Sequence, residues 1–260
     1  MTPTLVSLVL ACSPAQDARP RPTTIPANAP EVENDVYYLG TQVDPQTGED
    51  IEGYAFVDRE ADPNQEIDDD EAQTARLGCY SVLGYGAWTS IESWGFDDTN
   101  SSGLAAADIQ ATLEDGHDTW EAGAGAVDIF GSYDSANSGN ASSSSDGENN
   151  VEFGNAGGGG IVAITYIWGR ATGAVSRRYI NEWDQIYDDR YDWTIGDPVG
   201  SGAFDFLDVA THELGHAAGL GHPRTSAACS NETMYAYVAT GETKKRDLNS
   251  GDILGIAAVY

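Results

Sequence analysis

The stretch His212-Glu213-Leu214-Gly215-His216-Ala217-Ala218-Gly219-Leu220-Gly221-His222 limits what this chain can be more than any other segment. On a helix, residues four apart share a face, so His212 and His216 present two imidazoles to one point. Gly219 can take φ > 0, which ends the helix and turns the chain back to bring in His222. Three neutral imidazoles suit zinc and leave its fourth position open to water. Glu213, beside the first of them, is suited to face that water rather than the metal. The plain alternative is a capped amphipathic helix with surface histidines. Against it, the motif takes three of the four histidines and adds Glu and Gly at fixed offsets. His117, the fourth, lies in another helical stretch and reads as an ordinary surface or core residue.

The pattern His-Glu-x-x-His-x-x-Gly-x-x-His resembles that of the metzincin zinc proteases. Thr233-Met234-Tyr235 is similar to their Met-turn, which places a methionine beneath the metal. The tail from Leu248 to Tyr260 resembles the C-terminal helix of matrixins, and the short interval from His222 to Met234 favours matrixins over astacins and serralysins. Leu83-Gly84-Tyr85-Gly86 and Gly241-Glu242-Thr243-Lys244-Lys245-Arg246 are similar to blocks of prokaryotic matrixin-like secreted peptidases. The resemblance covers about residues 77–260. It implies an α+β metzincin fold: a twisted, mostly parallel, mixed five-stranded sheet, three helices, and a small C-terminal subdomain below the cleft. Ile161 to Trp168 would form the upper rim, the edge to which an extended peptide adds by main-chain pairing. The same stretch also reads simply as a core strand.

The chain departs from that family in several places. Ile164 and Ile186 stand where animal matrixins carry histidines for a second, structural zinc, so one catalytic zinc is expected. Asp184, Asp188, Asp189 and Asp192 offer hard oxygens at short spacing, which reads equally as a calcium site or as acidic surface. Pro223 follows the third histidine as in serralysins, yet Ala236 replaces the tyrosine ligand of serralysins and astacins. The cysteine-bearing prodomain motif of matrixins is missing. Ala75-Arg76-Leu77-Gly78-Cys79 lacks its prolines and aspartate. Cys79 is expected in a disulfide with Cys229, given export and an even pair once Cys12 is set aside; a Cys79 thiolate latch on the metal and two buried thiols are the alternatives.

The remaining segments give the domain plan. Residues 1–12 read as an export signal whose Val9-Leu10-Ala11-Cys12 resembles a lipobox, with Cys12 the lipidation candidate. Residues 13–30 are a proline-rich tether. Residues 31–75 hold a hairpin around Asp44-Pro45-Gln46-Thr47-Gly48 and then an acidic stretch from Asp58 to Glu71, read as a solvated linker rather than a ligand cluster. Residues 76–260 form the peptidase domain. Within it, Cys79 to Phe96 suggests strands, and Leu104 to Trp120 a helix with Ser102 as its cap. The Ser- and Gly-rich Ser132 to Asn150 reads as a mobile insertion. Phe206 to Ala218 predicts a helix capped by Asp205, and Ser250 to Val259 a last one.

With 12 basic against 42 acidic residues, a net charge of -30 excludes unaided binding to nucleic acid. No apolar run is long enough for a transmembrane helix. The sequence therefore predicts a monomeric, secreted or surface-anchored zinc endopeptidase acting on protein or peptide substrates in the extracellular matrix or its equivalent. Glu213 would be general base; His212, His216 and His222 would hold the metal, with Met234 beneath it. A catalytically silent zinc-binding adhesion domain is the alternative, against which the retained Glu213 argues. A different zinc hydrolase with an acidic third ligand is argued against by the extension from Gly219 to His222.

Overall fold

Strands rich in β-branched and aromatic residues between turn formers build one mixed sheet, and the helices pack on it. The computed structural model describes residues 21–33, 35–62, 78–137 and 139–260; the expected signal and the lipidation candidate Cys12 lie outside them. In chain order come β1 (Glu31–Glu33), β2 (Val36–Val43), β3 (Asp50–Glu60), β4 (Ser81–Val82), β5 (Trp94–Phe96) and helix α1 (Ala106–Gly123). Then follow β6 (Asn149–Gly154), β7 (Ile161–Arg170), β8 (Tyr179–Asp188), β9 (Trp193–Thr194), β10 (Phe204–Asp205) and helix α2 (Phe206–Ala217). The chain ends with β11 (Leu220–Gly221), β12 (Tyr237–Val238) and helix α3 (Ser250–Val259).

Among the described residues the main sheet has eight strands, ordered β1-β2-β3-β7-β8-β6-β5, with β12 pairing to β3 off this path. It is larger than the five strands expected because the N-terminal hairpin joins it instead of standing apart: β3 pairs antiparallel with β7 from Glu52↔Gly169 to Arg59↔Ile161. The pairing is mixed, since β7 and β8 are antiparallel whereas β8, β6 and β5 run parallel. Cys79 to Val82 supplies only the short β4, which pairs with β11 outside the main sheet. The hairpin turn is held by Asp44, whose Oδ1 accepts from the amides of Gln46 at 2.7 Å and Thr47 at 3.2 Å.

Helices α1 and α2 lie against one sheet face and bury Trp94, Trp120, Trp183, Phe206 and Leu214 in the largest apolar cluster. Burial of such side chains stabilises the fold by about 1.5–3 kcal/mol each. Helix α1 starts at Ala105 without a side-chain cap; the expected cap, Ser102, accepts from the Trp193 amide at 2.8 Å instead. His117 is buried on α1, stacked on Phe130 with centroids 4.4 Å apart. The other sheet face carries a second cluster of Tyr37, Ala55, Val57, Ile161, Ile164 and Ile186. Ile25 and Ala29 pack into it, so residues 21–30 lie on the fold rather than forming an extended tether.

The segment from Ser132 to Asn150 is also not a free insertion. Its polar residues are used locally, because loop amides bond two buried carboxylates of β8. Ser142 donates to Asp184 at 2.8 Å, while Asp146 and Gly147 donate to Glu182 at 2.9 and 2.8 Å.

Candidate metal centre

Helix α2 begins where expected. The Asp205 carboxylate accepts from the Asp208 amide at 2.8 Å, and Arg246 braces the same carboxylate through two contacts of 2.8 and 2.7 Å. On this helix His212 and His216 face one point. Gly219, at φ +104, reverses the chain so that His222 meets them. The Nε2 atoms of His212 and His216 lie 3.2 and 3.1 Å from that of His222. Zinc–nitrogen bonds of about 2.0–2.1 Å in a tetrahedron put ligand nitrogens about 3.3 Å apart. The spacing is therefore that of a metal triad.

The far side of each helical imidazole fixes its tautomer. His212 Nδ1–H donates to the Thr233 carbonyl at 2.5 Å, and His216 Nδ1–H to the Leu220 carbonyl at 2.9 Å. Each Nε2 then carries a lone pair directed at the common point. Burial keeps both rings neutral, lowering His212 to about 3 and His216 in the same direction. Two such lone pairs converge on the Nε2 of His222, and nitrogens so close are best accommodated around a cation, so the donor set fits zinc. Met234, 1 % exposed, lies under the site. A Cβ placed on Gly215 would come within 2.2 Å of its Sδ, so only glycine permits this approach. The Met-turn amides of Thr233 and Met234 donate to Asp252 at 2.7 and 3.1 Å, tying the turn to α3.

Glu213 is fully buried. Thr165 of β7 donates to its Oε2 at 2.5 Å, while Oε1 has no hydrogen-bond partner. Burial first, and then the negative charge of Asp58, push the Glu213 carboxyl well above the usual range.

Asp58 is the residue the sequence reading missed. It was placed in a solvated linker, but it lies on β3, 2 % exposed, with its carboxylate on the histidine cluster. Oδ1 is 2.8 Å from His212 Nε2 and 3.0 Å from His222 Nε2; Oδ2 is 3.6 Å from His216 Nε2. The available signal was the strand period. Tyr54, Phe56 and Asp58 occupy alternate positions of one strand and so share a face, and Phe56 stacks on the His216 ring at 4.5 Å. Thr165 left no sequence signal, because a threonine in a β-branched run is ordinary.

Cys79 and Cys229 are joined by a disulfide across 150 residues. Ile164 and Ile186 face each other across β7 and β8 in the second apolar cluster. The four aspartates considered for calcium do not converge. Asp188 pairs with Arg190, Asp189 accepts from the Ser101 amide, and Asp192 contributes its main-chain carbonyl to the Phe204 amide. Asp184 instead clusters with Asp146 and Glu182. Burial raises Glu182 to about 7 and lifts Asp184 well above the ordinary range, with Glu182 adding to the latter.

The sequence pattern of the family described as Matrixin matches residues 92–260, which takes in α2, the turn at Thr233 and Met234, and α3. This chain belongs to the matrixin family. Among relatives of this matrixin, matrilysin of Homo sapiens is 36% identical over 77 residues, 30% of this chain and 26% of matrilysin. Matrix metalloproteinase-16 of Rattus norvegicus is 36% identical over 102 residues, 39% of this chain and 14% of the relative. Metalloendoproteinase 1-MMP of Arabidopsis thaliana is 39% identical over 71 residues, 26% of this chain and 18% of the relative. The matched part thus spans at most about a quarter of the length of these three relatives. Among the described residues, no helix of this matrixin is long and apolar enough to cross a membrane.

Proposed function

We propose that this matrixin is a zinc-dependent endopeptidase with its reaction centre at α2. The observation that carries the reading is the convergence of the Nε2 atoms of His212 and His216 on that of His222, at 3.2 and 3.1 Å, both helical rings being backed by main-chain carbonyls at Nδ1. His212, His216 and His222 would hold one zinc ion, with Met234 below. Zinc bound there supplies Lewis acidity towards water and the scissile carbonyl. Glu213 would take the proton from the attacking water and pass it to the leaving amine. Thr165 holds one of its oxygens and leaves Oε1 free for that task. A peptide substrate would lie extended and antiparallel to β7 in the place β3 holds between β7 and β12, because the rim edge expected of Ile161 to Trp168 is covered by β3 in this fold.

The same reading makes residues 76–260 the peptidase domain. It makes the chain an exported monomer, since a disulfide such as Cys79–Cys229 persists in oxidising surroundings. Residues 1–12 would direct that export, and Cys12 would anchor the chain if lipidated.

The test uses the full chain carrying Asp58→Ala, which clears the carboxylate from the three nitrogens, against the same chain with Glu213→Ala added. Both should bind one equivalent of zinc, lost on His212→Ala. Cleavage of internal bonds in a peptide library should fall by about 10²–10⁴-fold with Glu213→Ala. Equal cleavage by the two chains, once limited proteolysis has freed β3 from β7, would remove the peptidase assignment, and two equivalents of zinc would remove the single-ion one.

A further inference from the structure

The carboxylate of Asp58 touches the wrong side of the histidines to be a positioning group. A carboxylate that orients a metal-binding imidazole bonds its outer nitrogen. Here the outer Nδ1 atoms of His212 and His216 already serve the Thr233 and Leu220 carbonyls. Asp58 instead approaches all three Nε2 atoms, on the side where the lone pairs converge. Its Oδ1 stands 2.8 and 3.0 Å from two of them and its Oδ2 3.6 Å from the third, close to the ligand–ligand edge of a zinc tetrahedron, so the carboxylate lies where a fourth ligand would stand. Without a cation this arrangement is costly. Oδ2 is buried without a hydrogen-bond partner, and Glu213 brings a second buried carboxyl beside it. With a dication at the centre, both carboxylates are compensated.

The backbone around Asp58 has the form of a peptide in the cleft. β3 is pinned between two strands: antiparallel to β7, with Asp58 opposite Ala163, and parallel to β12, with Arg59 opposite Tyr237. It is anchored on both sides of the metal point. Upstream, Phe56 stacks on His216; downstream, the Arg59 guanidinium bonds Asp35 at 2.8 Å and the Gly159 carbonyl at 3.0 Å. An extended strand thus fills the groove from rim to wall.

We propose that β1–β3 is a built-in inhibitory segment and that Asp58 is its latch, the fourth ligand of the metal held by His212, His216 and His222. The latch takes the position the reactive water needs, and the strand takes the place of substrate. The protein as folded is therefore latent, and it becomes active when this segment leaves the cleft. The proposal rests on the zinc-peptidase reading above and deepens it.

The test loads the full chain with cobalt(II) in place of zinc and compares wild type with Asp58→Asn and Asp58→Ala; Asp58→Asn keeps the side-chain shape should Asp58→Ala fold poorly. Three readouts apply: the visible d–d spectrum, the affinity of a small zinc-chelating hydroxamate, and the rate at which a chelator strips the metal. Replacing the carboxylate should change the band position and intensity. It should also tighten hydroxamate binding by about 100-fold, because the competing internal ligand is gone, and speed metal loss. If cobalt binds all three chains stoichiometrically with superimposable spectra and equal hydroxamate affinity, the latch is refuted and the metal site survives. If cobalt binds none of them, both readings fall together.

Discussion

Replacing Gly215 by alanine sets two effects of opposite sign against each other. Gly215 lies inside α2, where exchanging glycine for alanine stabilises an exposed helix by about 1 kcal/mol. Here the added Cβ would stand 2.2 Å from Met234 Sδ and 2.5 Å from Trp120 Cζ2. Comfortable carbon contacts are about 3.5–4.0 Å, so both neighbours must retreat by more than 1 Å. Met234 can bend, but Trp120 cannot. Its ring is fully buried and its Nε1–H is bonded to the Thr211 carbonyl at 2.6 Å. Overpacking of this kind costs typically about 1–3 kcal/mol and sometimes more, and this overlap belongs at the upper end. The net expectation is a loss of about 1–3 kcal/mol. At about 2–4 °C per kcal/mol for a chain of this size, Tm falls by several degrees. Thermal and urea unfolding followed by tryptophan fluorescence measure it directly, since Trp120 reports on the contact. A Gly215→Ala protein as stable as wild type, or more stable, would show that helix propensity wins and that Met234 does not pack tightly under the zinc helix.

His117 gives the chain an acid limit. Burial lowers it from 6.5 to about 3, so below pH 6.5 the unfolded chain binds a proton that the folded one refuses, and stability falls as pH drops towards 3. Wild type should therefore lose up to ~4 kcal/mol more than His117→Phe across that range, and parallel stability curves would refute the assignment. Removing the Cys79–Cys229 bond as a double alanine variant should cost about 3–5 kcal/mol, given the 150-residue separation, with both cysteines of wild type inert to alkylation until reduced. Asp205→Ala removes the α2 cap and leaves Arg246 without its buried carboxylate. It should destabilise by about 2–4 kcal/mol in denaturant titrations, and a loss under 1 kcal/mol would mean that neither contact matters.

Local chemistry was readable from the sequence, and pairing between distant segments was not. The zinc helix, its cap Asp205, the break at Gly219 and the last helix all follow from neighbours within a few positions. Ser250 to Val259 has the expected limits, closed by a capping box between Asn249 and Asp252. Asp58 escaped because its partners lie more than 150 positions away, and by composition it belongs with the acidic run after it. The Ser132 to Asn150 segment misled for a similar reason. Its serines and glycines look like disorder until the buried acceptors Glu182 and Asp184 are known. The aspartates of the β8 region read equally as a ligand set or as acidic surface by spacing, yet Asp184 and Asp188 stand four residues, about 13 Å, apart along one strand, and Asp189 and Asp192 lie beyond its end.

The place of β3 in the sheet also bears on the order of assembly. Asp58 and its strand partner Ala163 are separated by roughly a hundred residues, so β3 has long left the ribosome when β7 is made. α2 and the third histidine come later still. Because β3 contributes Ala55 and Val57 to one apolar cluster and Phe56 to another, it belongs to the packed core as well as to the groove. On the latch reading, no stage of assembly therefore presents a completed, open cleft.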